Sequence, residues 1–356
     1  MSSVIRPTLS ATRNSLSKSS LRPGDLLQGA HWDYRVIDAV KGDNTHTSTV
    51  FKAKVIPHKD GANTPLWAII KAAPPGNATA RENLDCERST YHLPGVASAV
   101  CFRKMYDAMI DDGSDGSVTY IALEWLDTTL AEVKYQPDIL TYALIKTVLE
   151  ATLTSCVVLE DQKCVNTDYK PANILLSDVA NGRVTAKVGD LGLVFPAGHR
   201  LNAQPYAMRA PEVFLGQPCT APSQVWAVAA MLLCWINPGV LGAWDSPHPL
   251  INEAWCMAKI KRLFPEWNIP TPNEVERITL KNAVQSARRI TEEEPVMQAI
   301  LPFEKEPQKV KIPEQLRELL RLMLVVNPSE RPSASYVLAS REFKNLMLWN
   351  TPQPQQ

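Results

Sequence analysis

From Tyr34 to about residue 130 the chain runs in short Val- and Ile-rich stretches, and beyond about residue 135 apolar residues recur at helical spacing. That change of period limits the fold more than any other feature. YRVIDAV, STVFKAKVI, LWAIIKA and VTYIALEWL read as antiparallel strands separated by polar or Gly-containing turns. Among them, residues 79–93 (TARENLDCERSTYHL) read as one helix ended by Pro94-Gly95. TYALIKTVLEATLTSCVVL, AWCMAKIKRLF and EQLRELLRLML carry the helical pattern. Strands first and helices afterwards predict an α+β fold with two lobes, an N-terminal antiparallel sheet plus one helix and then a mainly helical part.

One stretch interrupts the helical half. ANILLSDVANGRVTAKVGD reads as two short strands around Asn181-Gly182, a dipeptide that favours tight hairpins. Asp168-Tyr169-Lys170-Pro171-Ala172-Asn173 precedes the first strand and Asp190-Leu191-Gly192 follows the second. A tight hairpin brings Asp168, Lys170, Asn173 and Asp190 to one end. Asn173 and Asp190 then supply the hard oxygen ligands that Mg²⁺ takes alongside phosphate oxygens. Asp168 is left to orient a substrate hydroxyl, and Lys170 balances charge on a transferred phosphoryl group.

Composition excludes little. Lys plus Arg and Asp plus Glu both number 37, so no global charge calls for nucleic acid or a polyanion. Seven cysteines without a C-x-x-C read as free thiols of a reducing compartment. The longest apolar run, Val225 to Ile236, is too short for a bilayer and reads as a core helix, and no membrane segment is expected. Residues 1–24 are Ser-rich and contain Arg6, Arg13, Lys18 and Arg22 but no acid, which suits a flexible tail. A mitochondrial transit peptide shares that composition, an alternative to a cytoplasmic or nuclear location.

The motifs stand in an order that resembles the protein kinase family across about residues 30–347. NTDYKPAN is similar to the catalytic loop H-R-D-x-x-x-x-N, Asp190-Leu191-Gly192 to D-F-G, and Ala210-Pro211-Glu212 to A-P-E. Ala68-Ile69-Ile70-Lys71 looks like the V-A-I-K strand, Glu87 lies in the following helix, and Arg331 resembles the arginine that pairs with the A-P-E glutamate. The resemblance implies a tail over 1–28, an N-lobe over 29–128, a C-lobe over 129–348 and a tail over 349–356. It implies ATP and Mg²⁺ as cofactors, with Val50, Ala68 and Leu175 packing on adenine, Leu123 as gatekeeper and Glu124 and Leu126 at the hinge. Lys71, held by Glu87, would contact the α- and β-phosphates. A protein substrate is implied, with a monomeric chain and no nucleic acid. Arg209, Thr167-Asp168 and the Asp-Leu-Gly further resemble SR-protein-specific kinases, within the cyclin-dependent and MAP kinase group, and the Trp- and Pro-rich stretch 238–307 would be that group's insert.

The sequence departs from the pattern at four places. Counting back from Val50, Asp43, Thr45 and Ser48 occupy the glycine positions of the phosphate-covering loop, with Gly42 one place early. Glycines there let backbone N–H groups approach phosphates, so a looser grip is expected. Asn166 and Thr167 replace the catalytic-loop His and Arg, and residues 193–209 contain no Ser or Thr and one Tyr, Tyr206. Control by phosphorylation of that segment is therefore not expected. Gln224 stands where an Asp usually holds the catalytic loop from behind, and a neutral pair with Asn166 would avoid burying a charge. Pro205 replaces a Thr that would touch Asp168 and Lys170. With Lys71, Glu87, Asp168, Lys170, Asn173 and Asp190 all present, the expected activity is phosphoryl transfer to Ser/Thr of proteins; the alternative is an ATP-binding pseudokinase acting as an interaction protein.

Overall fold

The computed structural model describes residues 21–40, 49–58, 64–74, 76–110, 118–179, 183–199 and 203–349. The loop positions 42, 43, 45 and 48, the Asn181-Gly182 turn, the first twenty residues and residues 350–356 lie outside them. The chain divides into two units: residues up to Asp85 together with Met105–Glu124, and Cys86–Lys104 together with everything from Trp125 onward.

The first unit is a six-stranded antiparallel sheet. Its strands are β1 (Leu26–Gln28), β2 (Trp32–Ala39), β3 (Thr49–Pro57), β4 (Trp67–Ala72), β5 (Met105–Ile110) and β6 (Val118–Glu124), in the order β1-β2-β3-β4-β6-β5. One face is apolar, with Tyr34, Val36, Phe51, Ala53, Ala68 and Ile70 in a common buried cluster. β2, β3, β4 and β6 answer to the four strands read from sequence. β1 and β5 were not legible there, and β5 shows why. Asp107 interrupts it yet is buried, because its carboxylate accepts the amides of Ala30 and His31 (3.1 and 3.2 Å), His31 Nδ1 (2.7 Å) and the Tyr34 hydroxyl. A buried carboxylate is tolerated where several donors satisfy it. The helix α1 (Ala78–Tyr91) begins in this unit.

In the second unit, Pro94-Gly95 does more than end α1. Pro94 opens a short helix, α2 (Pro94–Ser98), at a position where its missing N–H is harmless. α3 (Ile139–Asp161) begins at Asp138, whose carboxylate accepts the Thr141 amide at 2.7 Å. Among the described residues α3 is the helix long and apolar enough to cross a membrane, but most of it is buried within this unit. Around it lie β7 (Thr128–Thr129), β8 (Cys164–Asn166), β9 (Ile174–Ser177), β10 (Thr185–Val188) and β11 (Val194–Pro196), with β9 between β10 and β7 and β11 paired to β8. β9 and β10 are paired from Ile174–Val188 to Ser177–Thr185, so residues 178–184 form the connection. The two strands pair as read from the sequence, and the Asn181-Gly182 dipeptide between them lies outside the described residues.

The short α4 (Pro211–Phe214) precedes α5 (Ala221–Ile236), the helix predicted for the core. α5 is apolar all round and nearly every side chain is buried, as such helices require. The Thr220 and Ser223 side chains cap its start reciprocally. α6 (Asn252–Leu263), α7 (Ile278–Glu293) and α8 (Pro295–Gln298) fill the Trp- and Pro-rich stretch. α9 (Glu314–Met323) buries Leu316, Leu319, Leu320 and Met323, one stripe at i, i+3, i+4 and i+7, and α10 (Ala334–Ala339) and α11 (Arg341–Leu348) follow.

Candidate active site

The hairpin β9–β10 does what the sequence requires of it. Where its strands close, the Gly189 amide donates to the Asn173 carbonyl at 2.9 Å, which sets Asp190 beside Asn173. Gly189 is glycine for a reason of space, since a Cβ there would press to 2.6 Å on Leu175 Cδ1. Asp190 itself has φ +53°, a left-handed conformation that Asp adopts more readily than most side-chain-bearing residues. Leu191 is fully buried just beyond, and its amide donates to Glu87 Oε1 at 3.3 Å, which pins the turn.

Asn173 donates its side-chain amide both to the Asp168 carbonyl and to Asp168 Oδ2, each at 2.9 Å. Both contacts are to acceptors, so the amide orientation is fixed and the carbonyl oxygen remains for a cation. Lys170 Nζ lies 3.3 Å from Asp168 Oδ2. Burial pushes the Asp168 carboxyl above its ordinary range; the Lys170 ammonium pulls it back, and the Asp190 carboxylate pushes it up again. Asp168, Lys170, Asn173 and Asp190 are thus brought together. An amide oxygen and a carboxylate are the hard donors Mg²⁺ accepts when phosphates and water complete its shell. Among the described residues no group of three or more His, Cys, Asp or Glu side chains is placed to hold a metal by itself.

The loop is anchored from below at three points. Asn166 N–H donates to Gln224 Oε1 at 2.8 Å, and Asn166 Oδ1 in turn accepts the Asp168 amide at 2.8 Å. Gln224 is fully buried in the first turn of α5, so it is no solvated helix-start residue. Tyr169, which sequence reasoning passed over, is buried under the loop with its hydroxyl 2.8 Å from Ser155 Oγ on α3. Thr167 donates its hydroxyl and its amide to the Leu193 carbonyl, at 2.8 and 3.1 Å. Farther off, Arg331 and Glu212 form the expected buried pair, at 2.7 and 2.9 Å.

In the sheet unit, Lys71 is buried on β4 opposite Val50 of β3 and Ile121 of β6. Strand side chains alternate, so Lys71 shares its face with Ile69 and with their partners Val50, Lys52 and Leu123. The Lys52 ammonium, 4.4 Å above the Trp67 ring, agrees with that register. Ala68 lies on the other face, in the buried cluster with Val36 and Ala53. The residue that shares the face of Lys71 and Val50 is thus Ile69, whereas Ala68, expected from the resemblance to pack on adenine, points to the opposite face. Leu123 is fully buried, Glu124 half-buried at the end of β6, and Leu126 buried at the start of the second unit, where Leu175 is half-buried on β9.

An antiparallel sheet unit, a helical unit and this loop-and-hairpin constellation define the two-lobed protein kinase fold, and the chain belongs to the protein kinase domain family, whose model matches residues 100–343. It is similar to the stress-activated protein kinase JNK of Drosophila melanogaster, 27% identical over 228 residues, which cover 62% of this chain and 57% of that protein. The MAP kinase kinase MKK1/SSP32 of Saccharomyces cerevisiae is 29% identical over 139 residues, 36% of this chain and 26% of that protein. The chain therefore spans little more than half of the first relative and about a quarter of the second. Asp168, Lys170, Asn173, Asp190, Glu212 and Arg331 fall inside the family match, whereas Lys71 and Glu87 precede it.

Proposed function

We propose that this chain is an ATP- and Mg²⁺-dependent protein kinase that phosphorylates Ser and Thr hydroxyls of protein substrates. The observation that carries this reading is the Asp168 carboxylate held at once by Asn173 and Lys170. Phosphoryl transfer needs little covalent chemistry from a protein, and most of catalysis is positioning and charge stabilisation. Asp168 is assigned to orient the acceptor hydroxyl and accept its proton, while Lys170 faces the charge on the transferred group. Asn173 and Asp190 would hold Mg²⁺, which when bound neutralises phosphate charge. Lys71 is assigned to the α- and β-phosphates with Glu87 as its support, and Val50, Ile69, Leu123 and Leu175 to the adenine. The hinge reading gives Glu124 and Leu126 backbone contacts to the base. Kinship with the SR-protein-specific kinases rests on Arg209, Thr167 and Leu191 in sequence and is part of the proposal.

The glycine-position residues Asp43, Thr45 and Ser48 favour a second reading, an interaction protein that binds ATP without turnover. One experiment separates the two. Mg-ATP at a hundred times its dissociation constant adds about 2.7 kcal/mol to the folded state, so the melting temperature should rise by several degrees. No shift at millimolar Mg-ATP would sink both readings. Asp168→Asn should keep the shift and abolish transfer to a protein substrate. Transfer that survives the change would remove Asp168 from its assigned role, and a shift without transfer in the unaltered chain would leave the pseudokinase.

A further inference from the structure

The segment from Leu193 to Arg209 joins the Asp190 turn to Ala-Pro-Glu. In kinases such segments are commonly ordered by a phosphorylated residue that pairs with arginine. Here no Ser or Thr is available, and Thr167 stands at the catalytic-loop arginine position. Near its start the segment is nonetheless held: β11 pairs with β8, and the Leu193 carbonyl receives two bonds from Thr167.

At the other end the organising residue is Gln204. It is nine-tenths buried, and three of its polar groups are engaged. Its Nε2 donates to the Ser223 carbonyl at 3.0 Å, and its Oε1 accepts the Ala210 amide at 3.0 Å. Its backbone carbonyl accepts Nε and Nη2 of Arg209, at 3.2 and 2.9 Å. The Arg209 guanidinium lies against the rings of Tyr206 and Phe214, 4.7 and 5.1 Å from their centroids, and reaches Glu253 at 3.4 Å. Gln204 does this at φ +71°, a conformation that side-chain-bearing residues rarely adopt. Strained backbone of this kind persists where the surroundings over-determine it, and it concentrates at functional sites.

The partner at the far end of the amide is as informative as the strain. Ser223 is adjacent to Gln224, so one turn of α5 receives the segment through Gln204 and the catalytic loop through Asn166. We propose that Gln204 is a positioning residue that fixes the segment before Ala-Pro-Glu against this turn without a phosphate, which leaves the chain's activity independent of phosphorylation there. The proposal rests on the kinase reading for its consequence in catalysis, but the lock itself is a property of the fold.

The test uses the full chain made in a bacterial host, phosphatase-treated and verified phosphate-free by mass spectrometry, beside Gln204→Gly. Glycine relieves the positive φ, so a merely conformational role predicts equal or greater protection of the segment. A locking side chain predicts the opposite: amide hydrogen exchange across 203–210 should quicken about tenfold with both amide bonds gone. In the same variant the KM for protein substrate should rise or kcat fall by about tenfold, while the KM for ATP and the Mg-ATP melting shift stay as they were. Unchanged or slowed exchange in Gln204→Gly would overturn the proposal. So would loss of protection or of transfer when the unaltered chain is stripped of phosphate, Tyr206 phosphate included. If the unaltered chain shows no Mg-ATP shift, the kinase reading fails, and the exchange comparison still decides the role of Gln204.

Discussion

Two buried polar contacts stabilise the helical unit, and they are built from opposite chemistry. At Glu212 and Arg331 a carboxylate meets a guanidinium in a two-pronged pair, and Arg331 also donates to the carbonyls of Val325, Pro222 and Val326 at 2.7, 2.9 and 3.3 Å. At Gln224 and Asn166 two neutral amides each give an oxygen to a backbone N–H, and each leaves a buried NH₂ with no partner among the described residues. Their neighbours differ as well. Asp168 and Asp190 already concentrate negative charge at the loop, and burial holds Asp168 above its usual range. A third carboxylate behind the loop would add to that repulsion, while an orphaned amide donor costs about 1–3 kcal/mol. In this chain full charge sits where a planar fork can fill its donors, and a neutral residue sits beside the acids.

The sharpest way to break the comparison is Arg331→Met. Glu212 would stay buried with its charge uncompensated, and breaking a buried pair from one side typically costs about 3–5 kcal/mol. Urea unfolding followed by tryptophan fluorescence would read this, since Trp226 and Trp255 are buried in the same unit. Arg331→Met combined with Glu212→Gln should recover a large part of the loss. A single-variant cost below about 1 kcal/mol would mean that the pair is no stronger than a surface ion pair.

Gln224→Met should cost less. It strips the acceptor from the buried Asn166 N–H, a penalty of about 1–3 kcal/mol, but it also removes the unpartnered Nε2. The lower half of that range is expected. Because Asn166 passes its contact on to the Asp168 amide, kcat should fall with little change in the KM for ATP. A variant with unaltered urea midpoint and unaltered kcat would make Gln224 a passive filler.

What the sequence could disclose followed the range of each interaction. That Gln224 reaches the loop at Asn166, 58 residues away, was legible, but the expected pairing of the two side-chain amides is not what forms: Gln224 accepts the backbone N–H of Asn166. The strand β4 was legible, but a motif matched by residue identity does not give the faces of a strand, and the period-two rule places Ile69, not Ala68, on the face of Lys71. β5 was hidden by Asp107, whose burial depends on Tyr34 and His31 more than seventy residues away. Gln204 carried no local sign at all: a glutamine in a loop is unremarkable until Ser223 and Ala210 close on it. Hydrophobic period reports the elements, whereas the satisfaction of single buried polar groups is set by tertiary contacts that no window of sequence contains.

The smallest effect should come from Thr167→Val, and the reason refines the contrast between orphaned and satisfied groups. Thr167 is buried, and its hydroxyl donates to the Leu193 carbonyl, so valine removes one bond at nearly constant volume. Unlike the Asn166 N–H after loss of Gln224, the Leu193 carbonyl is not stranded, because the Thr167 amide still donates to it at 3.1 Å. Only the net value of one hydrogen bond is then at stake, about 0.5–1.5 kcal/mol. Urea unfolding should place this variant above Gln224→Met and far above Arg331→Met. A Thr167→Val loss equal to that of Arg331→Met would show that the hydroxyl, and not the paired backbone of β8 and β11, carries the start of the segment, and the ranking by stranded groups would fail.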